Sequence, residues 1–159
     1  MSVIDTLITD RTEADVTFVT ELNAKPLSEW TADELTAWMG GLKGAYNYTD
    51  LNRVSSAVQY VANELSAAGY ELPTLTIKTD WTMTDKPTLT QLNAYLTSVA
   101  NIRTVVAIIA PPTPTTMQLL TYDDANNIEK ILVAVEDSVK DIIAGLIYAD
   151  EMQSAEAWE

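Results

Sequence analysis

Apolar side chains recur at helical spacing in five stretches of the chain and switch to strict alternation in one. Val16, Val19 and Leu22 follow Thr12 and Asp15, an N-cap residue with an acidic partner three positions on, and predict a first helix to about Asn23. Thr31 and Glu34 have the capping-box form, and Leu35, Trp38 and Met39 make a short apolar face that Gly40 and Gly41 end. Thr49 can cap a longer third helix, whose stripe is Leu51, Val54, Val58, Val61, Ala62 and Leu65, with Gly69 where a left-handed residue is wanted. Leu89, Leu92, Leu96, Val99, Ile102, Val106 and Ile109 hold helical register up to the break at Pro111, Pro112 and Pro114. Thr121 and Asp124 open a last helix, and Ile128, Ile131, Leu132, Val135, Val139, Ile142, Ile143 and Leu146 give it a wide apolar face to about Tyr148.

Between the third and fourth helices the period falls to two. Leu75, Ile77, Trp81 and Met83 alternate with Thr74, Thr76, Lys78, Asp80, Thr82 and Thr84, which predicts a strand over 74–84. A lone strand leaves backbone groups unpaired, so the expected partner is the arm around Ile4 to Thr9, or the same strand of another subunit. The fold expected is mainly α: a compact helical bundle of three long and two short helices with a small β ribbon. Residues 1–10 read as an N-terminal arm, 11–150 as the bundle and 151–159 as an acidic tail with Trp158.

With 159 residues and 47% apolar side chains, one domain with a real core is the expectation. Nine Lys and Arg against 23 Asp and Glu leave a charge of -14, so a polyphosphate backbone would be repelled and nucleic acid is a poor partner. The chain has no histidine and no cysteine. That removes Cys/His zinc sites, Fe–S clusters, disulfides, thiol nucleophiles and imidazole-based triads. The first ten residues lack a basic start followed by a long apolar run, so no secretory signal is read there and synthesis in the cytoplasm is expected. The longest apolar run, Val105 to Ala110, is far too short to cross a bilayer, so no membrane insertion is expected.

Three polar groupings bear on function. Tyr46 to Arg53 (YNYTDLNR), at the entry to the third helix, could form a ligand-binding rim through its tyrosines and asparagines, but the simpler role is a capping loop with Tyr46 or Tyr48 packed inward. Arg53 borders the core position Val54 and is expected to pair with Glu129 of the last helix, fixing register rather than doing chemistry. Asp123, Asp124, Asn126, Asn127 and Glu129 crowd a helix start without calcium-loop spacing, and acidic residues are favoured there by the helix dipole. Trp30, Trp38 and Trp81 fall at element ends, where they close the core or anchor an interface. No catalytic, cofactor or metal residues are assigned. The candidate interface is Tyr46, Asn47, Tyr48, Ile77 and Trp81.

Four segments, Ile8 to Val16 (ITDRTEADV), Gly41 to Val54 (GLKGAYNYTDLNRV), Lys78 to Trp81 (KTDW) and Ala125 to Leu132 (ANNIEKIL), together resemble a poorly characterised module of tail-associated structural proteins in phages and prophages of Gram-positive gut bacteria. The resemblance spans nearly the whole chain and implies a virion role without catalytic residues. The expectation is therefore a non-enzymatic phage virion protein of the tail or tail tip, working by contacts with other virion proteins and with copies of itself as a homo-oligomer. The alternatives are a receptor- or glycan-binding tail module, with Trp30 or Trp81 exposed as a platform, and, with least behind it, a carboxylate-dependent cell-wall hydrolase.

Overall fold

The computed structural model describes residues 2–156, and within them the chain forms five α-helices and no strand. They are α1 (Glu13–Ala24), α2 (Ala32–Gly40), α3 (Tyr48–Ala67), α4 (Leu89–Val105) and α5 (Tyr122–Glu156). Local signals fix the starts. Thr12 and Asp15, Thr31 and Glu34, and Thr88 and Gln91 make reciprocal capping boxes on α1, α2 and α4, and Thr121 with Asp124 does the same before α5. Asn47, not Thr49, caps α3: its Oδ1 accepts from the Thr49 N–H at 2.8 Å, while Asp50 reaches back to the Asn47 N–H. Gly69, at φ +89°, supplies the left-handed turn after α3, with the Tyr70 N–H bonded to the Leu65 carbonyl.

The core lies among α3, α4 and α5. Val54, Val61 and Leu65 of α3, Val99 and Ile102 of α4, and Ile128, Ile131, Leu132 and Val135 of α5 are fully enclosed. Each such side chain contributes roughly 1.5–3 kcal/mol by leaving water, so this stripe-on-stripe packing is what holds the bundle. Arg53 near the start of α3 meets Glu129 near the start of α5, and Lys140 further along α5 lies by Tyr60 further along α3, so these helices run parallel. The chain can connect parallel helices only by returning along the bundle, and it does so twice, over 71–87 and 106–121.

The first return is the stretch expected to be a strand. It alternates only in part, with Leu75 and Ile77 packed on the core and Trp81 buried but Met83, expected on the same face, 80% exposed, and among the described residues no strand pairs with it. Side chains of the helices bind its backbone instead. The Thr76 N–H donates to Ser98 Oγ at 3.0 Å, Ser98 Oγ donates to the Thr76 carbonyl at 3.1 Å, and Asn101 Nδ2 donates to the Thr74 carbonyl at 3.2 Å. Asn52 Nδ2 donates to the Trp81 carbonyl and Asn52 Oδ1 accepts the Trp81 N–H, both at 2.8 Å. The β ribbon is thus replaced by a strap antiparallel to α3 and α4, which makes those two helices parallel as well. The Ile4 arm is not a strand either: Val3–Thr6 is a 3-10 turn, capped by Ser2, that puts Ile4 into the core.

Two helix ends also depart from the sequence reading. α4 stops at Val105, before the β-branched Val106, Ile108 and Ile109, whose restricted side chains favour extended backbone. Arg103 secures the exit by donating to the carbonyls of Ala110 and Pro111, both at 2.9 Å. α5 runs past Tyr148 to Glu156, taking up much of the expected tail; Trp158 lies outside the described residues. α1 and α2 sit to one side; α1 contributes the buried Leu22, and Trp30, just ahead of α2, packs edge-on against Trp38 of α2 with centroids 5.3 Å apart. Gly44 brings the α2–α3 loop against α1, where a Cβ on it would fall 2.1 Å from the Asp15 carbonyl oxygen.

Candidate functional site: a buried charge network and an apolar cleft

Two arginines and two carboxylates meet beneath the start of α3. Arg53 Nη2 lies 2.8 Å from Glu129 Oε1 and 2.5 Å from Asp50 Oδ1. Arg11, just ahead of α1, reaches the same two oxygens with its Nη2, at 2.6 Å and 2.9 Å. The remaining lone pairs are also used: the Ile8 N–H donates to Glu129 Oε2 and the Asn47 N–H to Asp50 Oδ2. Arg11 donates further to the carbonyls of Ile8 and Lys43, and its guanidinium lies 5.5 Å from the Tyr46 ring centroid. Asn126 closes the set by exchanging two bonds with the Arg11 backbone, each 2.9 Å.

A buried charge is tolerated when opposite charges and hydrogen bonds replace the water it has lost. Here formal charges cancel two against two, and the network binds the N-terminal arm, the 41–46 loop, α3 and α5. Burial alone would push the Arg53 guanidinium down, but its bonds to Glu129 and Asp50 outweigh that and hold it above its ordinary range. Beside the network, Tyr46 and Tyr95 share a short hydroxyl–hydroxyl bond. Burial pushes both phenols well above their ordinary value. With every carboxylate oxygen of Asp50 and Glu129 occupied, the grouping is built to hold elements together. It offers no carboxylate aimed at a substrate.

The other feature is an open cleft of about 1120 Å³ at the end of the bundle where α3, α4 and α5 begin. Tyr46, Asn47, Tyr48 and Trp81, four of the five candidate interface residues, line it together. Ile77 does not; it packs on the core from the strap. Trp81 itself is only 7% exposed, held by Asn52 and covered by Lys78, whose Nζ lies 4.8 Å from the ring centroid. Asn47 is spent on capping α3, and Tyr46 on Tyr95. The exposed lips come from elsewhere: Trp38 at 50%, Met39 at 71% and Met83 at 80%. Met117 and Leu120 from the second return complete an apolar wall. Among the described residues Asp85 is the one carboxylate on the lining.

Sequence reasoning missed Arg11, Tyr95 and the meeting of the methionines in the cleft, and placed Asp50 and Asn52 in a polar rim without their partners Arg11 and Trp81. Arg11 carried a signal: it is one of only nine basic residues in an acidic chain and directly precedes a capping box. The methionines carried none, since Met39, Met83 and Met117 are far apart in sequence and meet only through the fold. Asp124, weighed as a calcium ligand, is occupied in capping α5. Among the described residues no helix is long and apolar enough to cross a membrane. No protein-family model, curated protein or solved structure matches the chain, so the site is read from its own chemistry.

Proposed function

We propose that the chain is a non-enzymatic structural subunit that acts through protein–protein contacts made at the cleft. The observation that carries this reading is the exposure of Trp38, Met39 and Met83 around a groove walled by Tyr48, Met117 and Leu120. Methionines adapt their shape to an incoming apolar surface, and aromatics supply large contact area at low entropic cost. A groove of this composition suits an amphipathic segment laid in with its apolar face down. The setting in a phage tail or tail tip comes from the resemblance of the four quoted segments, and it makes other virion proteins the expected partners.

The glycan-binding alternative looked to Trp30 or Trp81 as an open platform, whereas Trp81 is buried and Trp30 packs against Trp38. A hydrolase would need carboxylates set across a cleft, and Asp50 and Glu129 instead share two arginines. Photo-methionine incorporated in producing cells tests the proposal. Crosslinks from Met39 or Met83 to a protein segment are expected, and their absence under conditions that label the chain would overturn it.

A further inference from the structure

The strap reads alike from either end. Thr79 is the midpoint of Thr74 to Thr84 (TLTIKTDWTMT), and about it Lys78 mirrors Asp80, Ile77 mirrors Trp81 and Thr76 mirrors Thr82. Threonine is matched by threonine, apolar by apolar and positive charge by negative. An antiparallel pair of identical strands sets each residue against its mirror position, so the segment is self-complementary about Thr79. Moving the axis one residue either way would set Lys78 against Lys78 or Asp80 against Asp80.

The structure leaves the middle of this segment free. Residues 71–82 run with neither bend nor turn, and the helices hold the main chain at Thr74, Thr76 and Trp81. Between those anchors, no main-chain group of residues 77–80 bonds to another residue of the chain. Such a row of unpaired groups is a template for a further strand. The side chains are accessible too: Thr76, Thr79 and Thr82 are exposed, as are 83% of the Asp80 side chain and 37% of Lys78. Charge singles out this side for meeting a copy of the same chain. Over 72–122, which holds the strap, α4 and the second return, three basic residues stand against two acidic ones, and α4 has no Asp or Glu, whereas the whole chain carries -14. Two such molecules repel over most of their surface and least here.

We infer that two copies join through this segment as a short antiparallel ribbon with its twofold axis at Thr79. The inference stands apart from the reading of the cleft. Lys78 and Asp80 of one copy exchange main-chain bonds with Asp80 and Lys78 of the other, and their side chains, which pair within one chain, form a ring of alternating charge across the axis. The contact is isologous, so it closes at two subunits.

The chain has no cysteine, so a single introduced thiol reports the register. Thr79→Cys places two thiols opposite each other, within the span of about 4.4–6.8 Å between Cα atoms that a disulfide bridges, and mild oxidation is expected to give a covalent dimer. Thr76→Cys, also at an exposed position, stands about six residues of strand, or roughly 20 Å, from its own copy and is expected to remain uncrosslinked. In sedimentation velocity the unaltered chain is expected to reach twice 17.5 kDa and grow no further. Lys78→Asp sets a second carboxylate against the partner's Asp80 and is expected to raise the dissociation constant roughly tenfold or more. Lys78→Asp combined with Asp80→Lys is expected to restore the dimer, because the reversed pair is again opposite in sign. Circular dichroism melts establish that the variants fold. A chain that stays monomeric at millimolar concentration overturns the inference. So does equal crosslinking by Thr79→Cys and Thr76→Cys, a dimer indifferent to Lys78→Asp, or one that the charge reversal leaves dissociated.

Discussion

Glu129 Oε1 accepts from two guanidiniums at once, Arg11 at 2.6 Å and Arg53 at 2.8 Å, inside a side chain that no solvent reaches. The two arginines come from segments 42 residues apart in sequence and are held together only because this carboxylate, with Asp50, offsets their repulsion.

Replacing Glu129 by Gln leaves two buried cations facing Asp50 alone. Removing one partner of a buried ion pair costs about 3–5 kcal/mol, so Glu129→Gln is expected to lower the thermal midpoint steeply. Arg53→Ala is expected to cost less, because its side chain is 16% exposed and Arg11 stays paired. Denaturant titrations of the two variants check the order; equal costs, or none, would contradict the arrangement.

Tyr46 and Tyr95 make alkaline pH a second probe. Burial raises both phenols above the ordinary value of 10.0, so the folded state holds its protons where the unfolded chain releases them. Their contribution is fully present below pH 10, where both states are protonated, and is lost as pH rises through the higher folded values. Absorbance near 295 nm should show Tyr46 and Tyr95 ionising only as helical ellipticity is lost, and ionisation of both in a fully helical chain would contradict their burial.

Asn52 secures the strap by bonding both backbone groups of Trp81. Asn52→Ala leaves those groups without their partner and is expected to cost about 1–3 kcal/mol. Hydrogen exchange should accelerate over 74–82 before it does in α3. Uniform acceleration across the bundle would mean that the strap is not a separately held element.

Gly44→Ala tests the join between the α1–α2 side and the bundle. Its Cβ would meet the Asp15 carbonyl carbon at 2.3 Å and the Val16 nitrogen at 2.7 Å, backbone atoms that cannot rotate away. Overpacking of this kind costs about 1–3 kcal/mol. The loss should appear as faster exchange in α1, with the α3–α5 core little changed.

What the sequence made legible was whatever depends on neighbours within a few residues. The capping pairs at Thr12, Thr31 and Thr121 bond as their spacing implies, and the stripes of α3 and α5 face each other. Arg53 and Glu129 were also readable, because each borders a core stripe. The strap was misread because period-two alternation reports an extended chain with one face buried, and says nothing about what satisfies its backbone. A ladder of strands and a row of Ser98, Asn101 and Asn52 side chains give the same pattern. The cleft was half visible: its tyrosines stand together in sequence, but its methionines arrive from α2, the turn before α4 and the second return.

The common direction of α3, α4 and α5 has an electrical consequence. Alternating helices cancel their dipoles, whereas three pointing one way add, placing partial positive charge at the mouth of the groove and partial negative charge where α5 projects. The protein is thus one long dipole, with its positive end at the groove and its negative end on the projecting part of α5.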